Sequence, residues 1–351
     1  MGLPSLATLA LTGALSLIAF TGSTLAQAQS DKGIDTCVFD IIGSAGDQYQ
    51  FMQDYALRLR EHGLELNLKP YTDEGVALAD FSAGKCDILA ATDIRTRRFN
   101  RFAGTIGAVG AIPSYDELET VLAVLASEKA ADYLSGNGYH VMGVFPMGAG
   151  YLFVTDRSMD TVEDLAGKRI AALNYHPDAI HMINYVGASV EPSDITNFGG
   201  KFNNRSVDAA YAPAMAYEAL ELYRGVRDDG GIVRYPLGQL TAQIIARDEV
   251  IDKEMALKAR KVAFDMFDDA MEIVKSFEEK IPEEVWIDIP DSDIDEYQEM
   301  FRQNRIQLRD GVDSEGKKVP QVYHGEMLTL LRKVRCRENP DASECTAPDR
   351  E

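Results

Sequence analysis

Phe81-Ser-Ala-Gly-Lys-Cys-Asp87-Ile-Leu-Ala-Ala91 and Phe202-Asn-Asn-Arg-Ser-Val-Asp208-Ala-Ala-Tyr-Ala212 follow one pattern: a Phe, an Asp six positions on, then a short run of small apolar residues. In the first copy Gly84 suits the left-handed position that closes a helix. Ile88–Ala91 is short, apolar and free of polar alternation, which fits a parallel strand covered on both faces. Any α/β protein contains helix-turn-strand units. Two with the same Phe-to-Asp spacing predict two α/β lobes of similar construction.

Outward from the first copy, the chain reads strand 37–42, glycine-rich turn, helix 48–62, strand 64–69, helix 74–83, strand 87–92. This βαβαβ run calls for a parallel sheet with right-handed crossovers. The capping box Ser114-Tyr-Asp-Glu117 opens a helix expected to reach Leu134, before strands 139–144 and 151–155. Around the second copy lie strand 169–173, helix 178–186 and strand 207–211. Residues 237–246 read as a strand returning to the first lobe. An apolar stripe from Met255 through Ala259, Met266 and Ile273 to Phe277 predicts one long helix over 252–279, bracing both lobes. Helices 291–308 and 323–335 follow, with a polar loop at 310–320 between them.

Residues 1–30 carry no charged side chain, Leu6–Phe20 is mostly apolar, and Ala26-Gln-Ala28 has the small-x-small pattern of a signal-peptidase site. The apolar run is too short to span a bilayer comfortably. A signal peptide at 1–28 and a soluble periplasmic protein are therefore expected, although the segment has no Lys or Arg ahead of the apolar run. The organisation reads as 1–28 leader, 29–152 lobe one, 153–245 lobe two, and 246–351 returning to lobe one with the long helix and C-terminal helices.

The charge argues against a nucleic-acid role: 35 basic against 56 acidic residues, a net of −21, do not suit phosphate contacts, which need clustered Lys and Arg. The expected state is a monomer without cofactor. Four cysteines allow three pairings. Cys37 and Cys86 each precede an expected strand, and parallel neighbours about 4.8 Å apart bring such residues within disulfide reach. Cys336 and Cys345 would then staple the tail.

Catalytic patterns are lacking. The histidines at 62, 140, 176, 181 and 324 form no HExxH or His-x-x-x-His pair, and there is no Gly-x-Ser-x-Gly, P-loop or GxGxxG. No metal site and no enzyme are expected. Polar and aromatic residues gather instead at the C-terminal ends of expected parallel strands, where open α/β sheets bind ligands. Ser44 and Asp47 follow the first strand and Arg95 the third. Asn174, Tyr175 and Tyr211 follow strands of the second lobe, and Asn197 and Phe198 precede the echoing helix. Tyr151 and Gln243 lie on the crossing strands. Arg95 is nearest a strand end, whereas Arg97, Arg98 and Arg101 read as solvated surface charges or as partners of the acidic excess. The plain alternatives are a tight β–α connection at Gly43–Gly46 and core packing for Tyr151, Tyr175 and Tyr211.

With Phe81–Asp87, Val154–Ile170 (containing Asp164-Leu-Ala-Gly-Lys168) and Asn203–Asp208 followed by Tyr211-Ala-Pro213, the chain resembles the solute-binding proteins of tripartite ATP-independent (TRAP) transporters over roughly residues 35–310. Asp194–Asn204 and Gln239–Ile245 resemble a subgroup described only as solute-binding proteins, some members of which have carried an efflux or antibiotic-resistance label. The resemblance implies a two-lobed, type II-like periplasmic-binding-protein architecture. It also implies capture of a small molecule between the lobes and delivery to the membrane subunits of a secondary transporter. The chain departs from the family where an Arg inside the strand after Gly-Lys clamps a ligand carboxylate. Here Gly167-Lys-Arg-Ile-Ala-Ala-Leu173 places Ala171 and Ala172 at that point, leaving Arg95 as the candidate cation. The competing reading is a non-transport periplasmic protein, an envelope partner or an enzyme, on the same scaffold.

Overall fold

The two echoing segments fold alike down to their hydrogen bonds. Helix Glu74–Ser82 ends as Gly84 turns at φ 75°, its N–H on Phe81 O (3.0 Å) and the Lys85 N–H on Asp80 O (2.9 Å). Helix Phe198–Asn203 ends with Arg205 at φ 55°, its N–H on Phe202 O (2.9 Å) and the Ser206 N–H on Lys201 O (2.9 Å). Each Phe is fully buried, and each Asp sets its backbone N–H on the neighbouring strand, Asp87 on Asp35 O and Asp208 on Arg169 O. Arg205 therefore occupies the left-handed position that glycine fills in the first copy, where non-glycine residues are uncommon.

This architecture is that of a computed structural model describing residues 1–2, 33–348 and 351. The expected leader and its cleavage motif lie outside the described residues, Met1 and Gly2 apart. The strands are β1 (Ile34–Phe39), β2 (Leu66–Tyr71), β3 (Ile88–Thr92), β4 (Ser135–Gly136), β5 (Tyr139–Val154), β6 (Arg169–Leu173), β7 (Ser189–Ser193), β8 (Ala209–Pro213), β9 (Gly231–Arg247) and β10 (Trp286–Ile287). They form one sheet in the order β2-β1-β3-β9-β5-β8-β6-β7, with β10 beside β9 and β4 beside β5. Two parallel triplets, β2-β1-β3 and β8-β6-β7, are joined by the long antiparallel pair β9 and β5. Alternate residues of β3 serve opposite cores: Leu89 and Ala91 pack with Phe81 and Leu118, while Ile88 and Ala90 pack with Tyr55 and Ala263. That two-sided burial is what an unalternated apolar strand requires.

Several boundaries differ from expectation. Strands 139–144 and 151–155 are one strand, β5, which absorbs Pro146–Gly148 through register shifts against β9, with Gly148 at φ 104°. Pro192 obscured β7 in the sequence; the strand lies at the sheet edge, where a missing N–H is tolerated. Helix Tyr115–Leu125 stops short of Leu134, with the Ser127 hydroxyl on Val124 O (2.6 Å). The long helix is two, Lys253–Asp265 and Phe267–Glu279, separated at Met266 (φ −100°). The apolar stripe runs unbroken across the bend, so its periodicity gives no sign of it. Both parts pack on β5, and the second reaches from Met271 in the first triplet's core to Phe277 beside Tyr151 and Trp286. Both disulfides form as expected, with Cα–Cα distances of 5.7 Å for Cys37–Cys86 and 5.6 Å for Cys336–Cys345. Strand β1 begins at Ile34, so Cys37 lies within it rather than before it.

Candidate functional site

β3 and β6 belong to different triplets, and the residues that follow them meet. After Thr92 the chain enters the helical turn Asp93–Thr96, and after Leu173 it runs through Tyr175 and His176 into helix Pro177–Tyr185, with Pro at a first-turn position. The Arg95 guanidinium lies over the Tyr175 ring, 3.2 Å from its centroid, with Nε 3.4 Å from Glu74 Oε2. Arg97 is 9% exposed. Its Nη1 is 3.0 Å from Asp178 Oδ1 and its Nε donates to Gly104 O (2.9 Å). Asp178 also has His176 Nε2 at 3.1 Å and accepts the Tyr323 hydroxyl on Oδ2 at 2.9 Å. Serving a carboxylate requires a proton on Nε2. With the ring singly protonated there, the Tyr211 hydroxyl at 2.9 Å donates to Nδ1.

Burial disfavours the charged form of each carboxyl here, and their partners decide the outcome. Burial raises Asp178, but the Arg97 guanidinium and His176 outweigh it and hold the group well below the usual carboxylate range. Burial wins at Glu74, pushed up to about 7 although it accepts the Thr92 N–H (2.7 Å) and hydroxyl (2.6 Å). Burial likewise pushes Asp93 up to about 6, against the pull of Arg97 and the Thr241 N–H at 3.0 Å.

These groups border a cavity of about 280 Å³. Both triplets and the segments after them supply its walls: Phe39 at the end of β1 with Ile41 and Gln48 beyond it, Leu173 at the end of β6 with Tyr175 and Met182 beyond it, Tyr211 and Met215 at and after β8, Tyr297 and Phe301 from helix Asp291–Asp310. The walls are mostly apolar and include five methionines, Met147, Met159, Met182, Met215 and Met300. Glu74, Asp93, Asp160, Asp178 and His176 are the ionisable side chains other than tyrosine among the described lining residues, and no Arg or Lys is among them.

Of the residues chosen from sequence, Tyr175, Phe198 and Tyr211 line this cavity. Arg95 stands behind Tyr175 rather than on the wall. Ser44, Asp47, Asn174 and Asn197 are exposed and outside it. Tyr151 donates to Glu278 Oε1 (2.8 Å) and meets Trp286 edge-on. Gln243 is fully buried, donating to Ala103 O (2.9 Å) and accepting from the Thr96 hydroxyl (2.8 Å). Arg98 and Arg101 are exposed, but Arg97 is not a surface charge: Asp178, far away in sequence, neutralises it. Sequence reasoning passed over Asp93, His176, Asp178 and Tyr323. Asp93 directly follows a strand and Asp178 follows Pro177 at a helix start, so position alone could have flagged both; Tyr323 offered no such cue.

Residues 59–350 match the family described as solute-binding protein AdeT 1/2. The chain belongs to that family. The "Probable solute-binding protein AdeT1" of Acinetobacter baumannii is 36% identical over 312 residues, covering 89% of this chain and all of the relative. Similar solved structures are TRAP periplasmic solute-binding proteins. The ectoine-binding protein of the Halomonas elongata TeaABC transporter has a TM-score of 0.68 at 14% identity, covering 86% of this chain and 99% of its own. A Chromohalobacter salexigens protein with bound D-glucuronate scores 0.66 at 16% identity over 86% and 99%. A Desulfovibrio salexigens protein with bound orotic acid scores 0.63 at 12% over 87% and 99%. This AdeT 1/2-family chain thus has the two-lobed α/β fold of the TRAP solute-binding proteins.

Proposed function

We propose that this chain is an exported, periplasmic solute-binding protein that closes on a small molecule and delivers it to the membrane subunits of a secondary transporter. The observation that carries the reading is the cavity walled by both triplets, with Arg97–Asp178, Arg95–Tyr175 and Tyr323–Asp178 linking the elements around it. Lobe one at 29–152, lobe two at 153–245 and the return over 246–351 would hinge on β5 and β9, the usual device of such proteins. Arg95 acts in this scheme as a positioning residue, holding the Tyr175 ring against the cavity. Export is supported by the uncharged N-terminal segment 1–30 with its Ala26-Gln-Ala28 motif.

The chain is read as non-catalytic. Tyr211, His176 and Asp178 stand in a row, the Tyr211 hydroxyl 2.9 Å from His176 Nδ1 and His176 Nε2 3.1 Å from Asp178 Oδ1, that resembles a proton relay. Burial, however, pushes the Tyr211 hydroxyl far above the ordinary tyrosine range, the opposite of what an activated nucleophile needs. The test is thermal-shift screening of the mature protein against a metabolite collection, followed by mass analysis of each hit after incubation. Stabilisation with the solute recovered unchanged is expected; conversion of the hit would make the protein an enzyme.

A further inference from the structure

The lining of the cavity carries information about its solute, on the reading that this is a solute-binding site. A carboxylate ligand is favoured beside a free cation, and no Arg or Lys is among the described lining residues. The nearby guanidiniums already have carboxylate partners, Arg95 at Glu74 and Arg97 at Asp178. An incoming anion would have to displace one of these while entering beside Glu74, Asp93 and Asp178, a costly burial of like charge. Apolar wall gains from apolar contact instead, and methionine side chains adapt to varied shapes.

The wall leaves acceptors open, among them the Gln239 amide oxygen and one oxygen of the Asp93 carboxyl, of which the Asp93 carboxyl is the stronger acceptor. Asp93 is 2% exposed and its Oδ1 takes the Thr241 N–H. Among the described residues no hydrogen bond reaches Oδ2, which lies where a side chain on Gly107 would stand: a Cβ there would be 2.2 Å away. Both Asp93 and Gly107 line the cavity. We propose that the cavity takes a mostly apolar solute whose polar end is a hydrogen-bond donor, an amine or an alcohol, received by the Asp93 carboxyl.

Titration calorimetry with phenylbutylamine, phenylbutanol and phenylbutyrate, matched in body and differing in head group, tests this on the mature protein at neutral pH. The amine and the alcohol should bind, and the carboxylate should bind at least about tenfold more weakly. Asp93→Asn should lower the amine-to-alcohol affinity ratio about tenfold, since only the amine loses a charge-assisted bond. The head-group order in the unsubstituted protein decides the matter even if that variant folds poorly. Phenylbutyrate binding as well as the amine, or an unchanged ratio in Asp93→Asn, overturns the proposal. If none of the three binds but succinate does, the solute class is wrong and the solute-binding reading stands. If none of these binds and no metabolite shifts the melting temperature, both fall.

Discussion

Asp178 gathers side chains from two distant parts of the chain, Arg97 after β3 and Tyr323 before helix Gly325–Glu338, together with its near neighbour His176. A buried charge stripped of its partner is costly, typically about 3–5 kcal/mol, whereas replacing the pair together costs far less. Arg97→Met should therefore destabilise the fold by that amount in urea unfolding, and adding Asp178→Leu should restore a large part. A double variant worse than the sum of the singles would mean that the two residues do not function as a pair. Glu74 supplies a second test. Its carboxyl is raised from 4.5 to about 7, so between those values the folded protein holds a proton that the unfolded chain has lost. The stability from this group is complete below pH 4.5 and declines as pH rises through 7. Relative to Glu74→Gln, the unsubstituted protein should lose up to about 1.4 kcal/mol per pH unit in that window. A flat difference would place Glu74 in a wetter setting than its burial implies. Sequence position led to Arg95, Tyr175 and Tyr211, because strand ends are readable from apolar runs. It could not show which carboxylate neutralises which arginine, since that depends on where two separate strand ends meet.

At the scale of elements, the local units were legible and the long-range ones less so. The Phe-to-Asp echo, the Ser114 capping box and strand Arg169–Leu173 carry their own punctuation. β5 does not: Pro146 and the glycines near it read as a break, yet pairing with β9 on one side and β8 on the other keeps the strand whole. The disulfides were readable because one pair spans adjacent parallel strands and the other a short tail loop. Their sequence separations of 49 and 9 predict different effects. From loop closure alone, Cys37→Ala/Cys86→Ala should cost about 4 kcal/mol and Cys336→Ala/Cys345→Ala about 2–3 kcal/mol. Denaturant titration of both variants checks the order; a larger loss from the tail pair would mean that the tail contributes packing beyond its loop.

The whole molecule places its cavity where two parallel triplets face each other across a long antiparallel pair, and that site gives the family resemblance a physical meaning. The same scaffold that holds glucuronate or orotate in other proteins here presents methionine, leucine and tyrosine, with its arginines withdrawn into ion pairs. The central claim is that this cavity holds the solute. Ala179, on helix Pro177–Tyr185, is a small residue of its wall, and a Trp there would project into the cavity and obstruct it. Native mass spectrometry of the protein purified from the periplasm, beside Ala179→Trp prepared identically, tests the claim most directly. The account predicts one bound small molecule per chain in the unsubstituted protein and none in the folded variant. An adduct retained by Ala179→Trp, or absent from the unsubstituted protein, would contradict it.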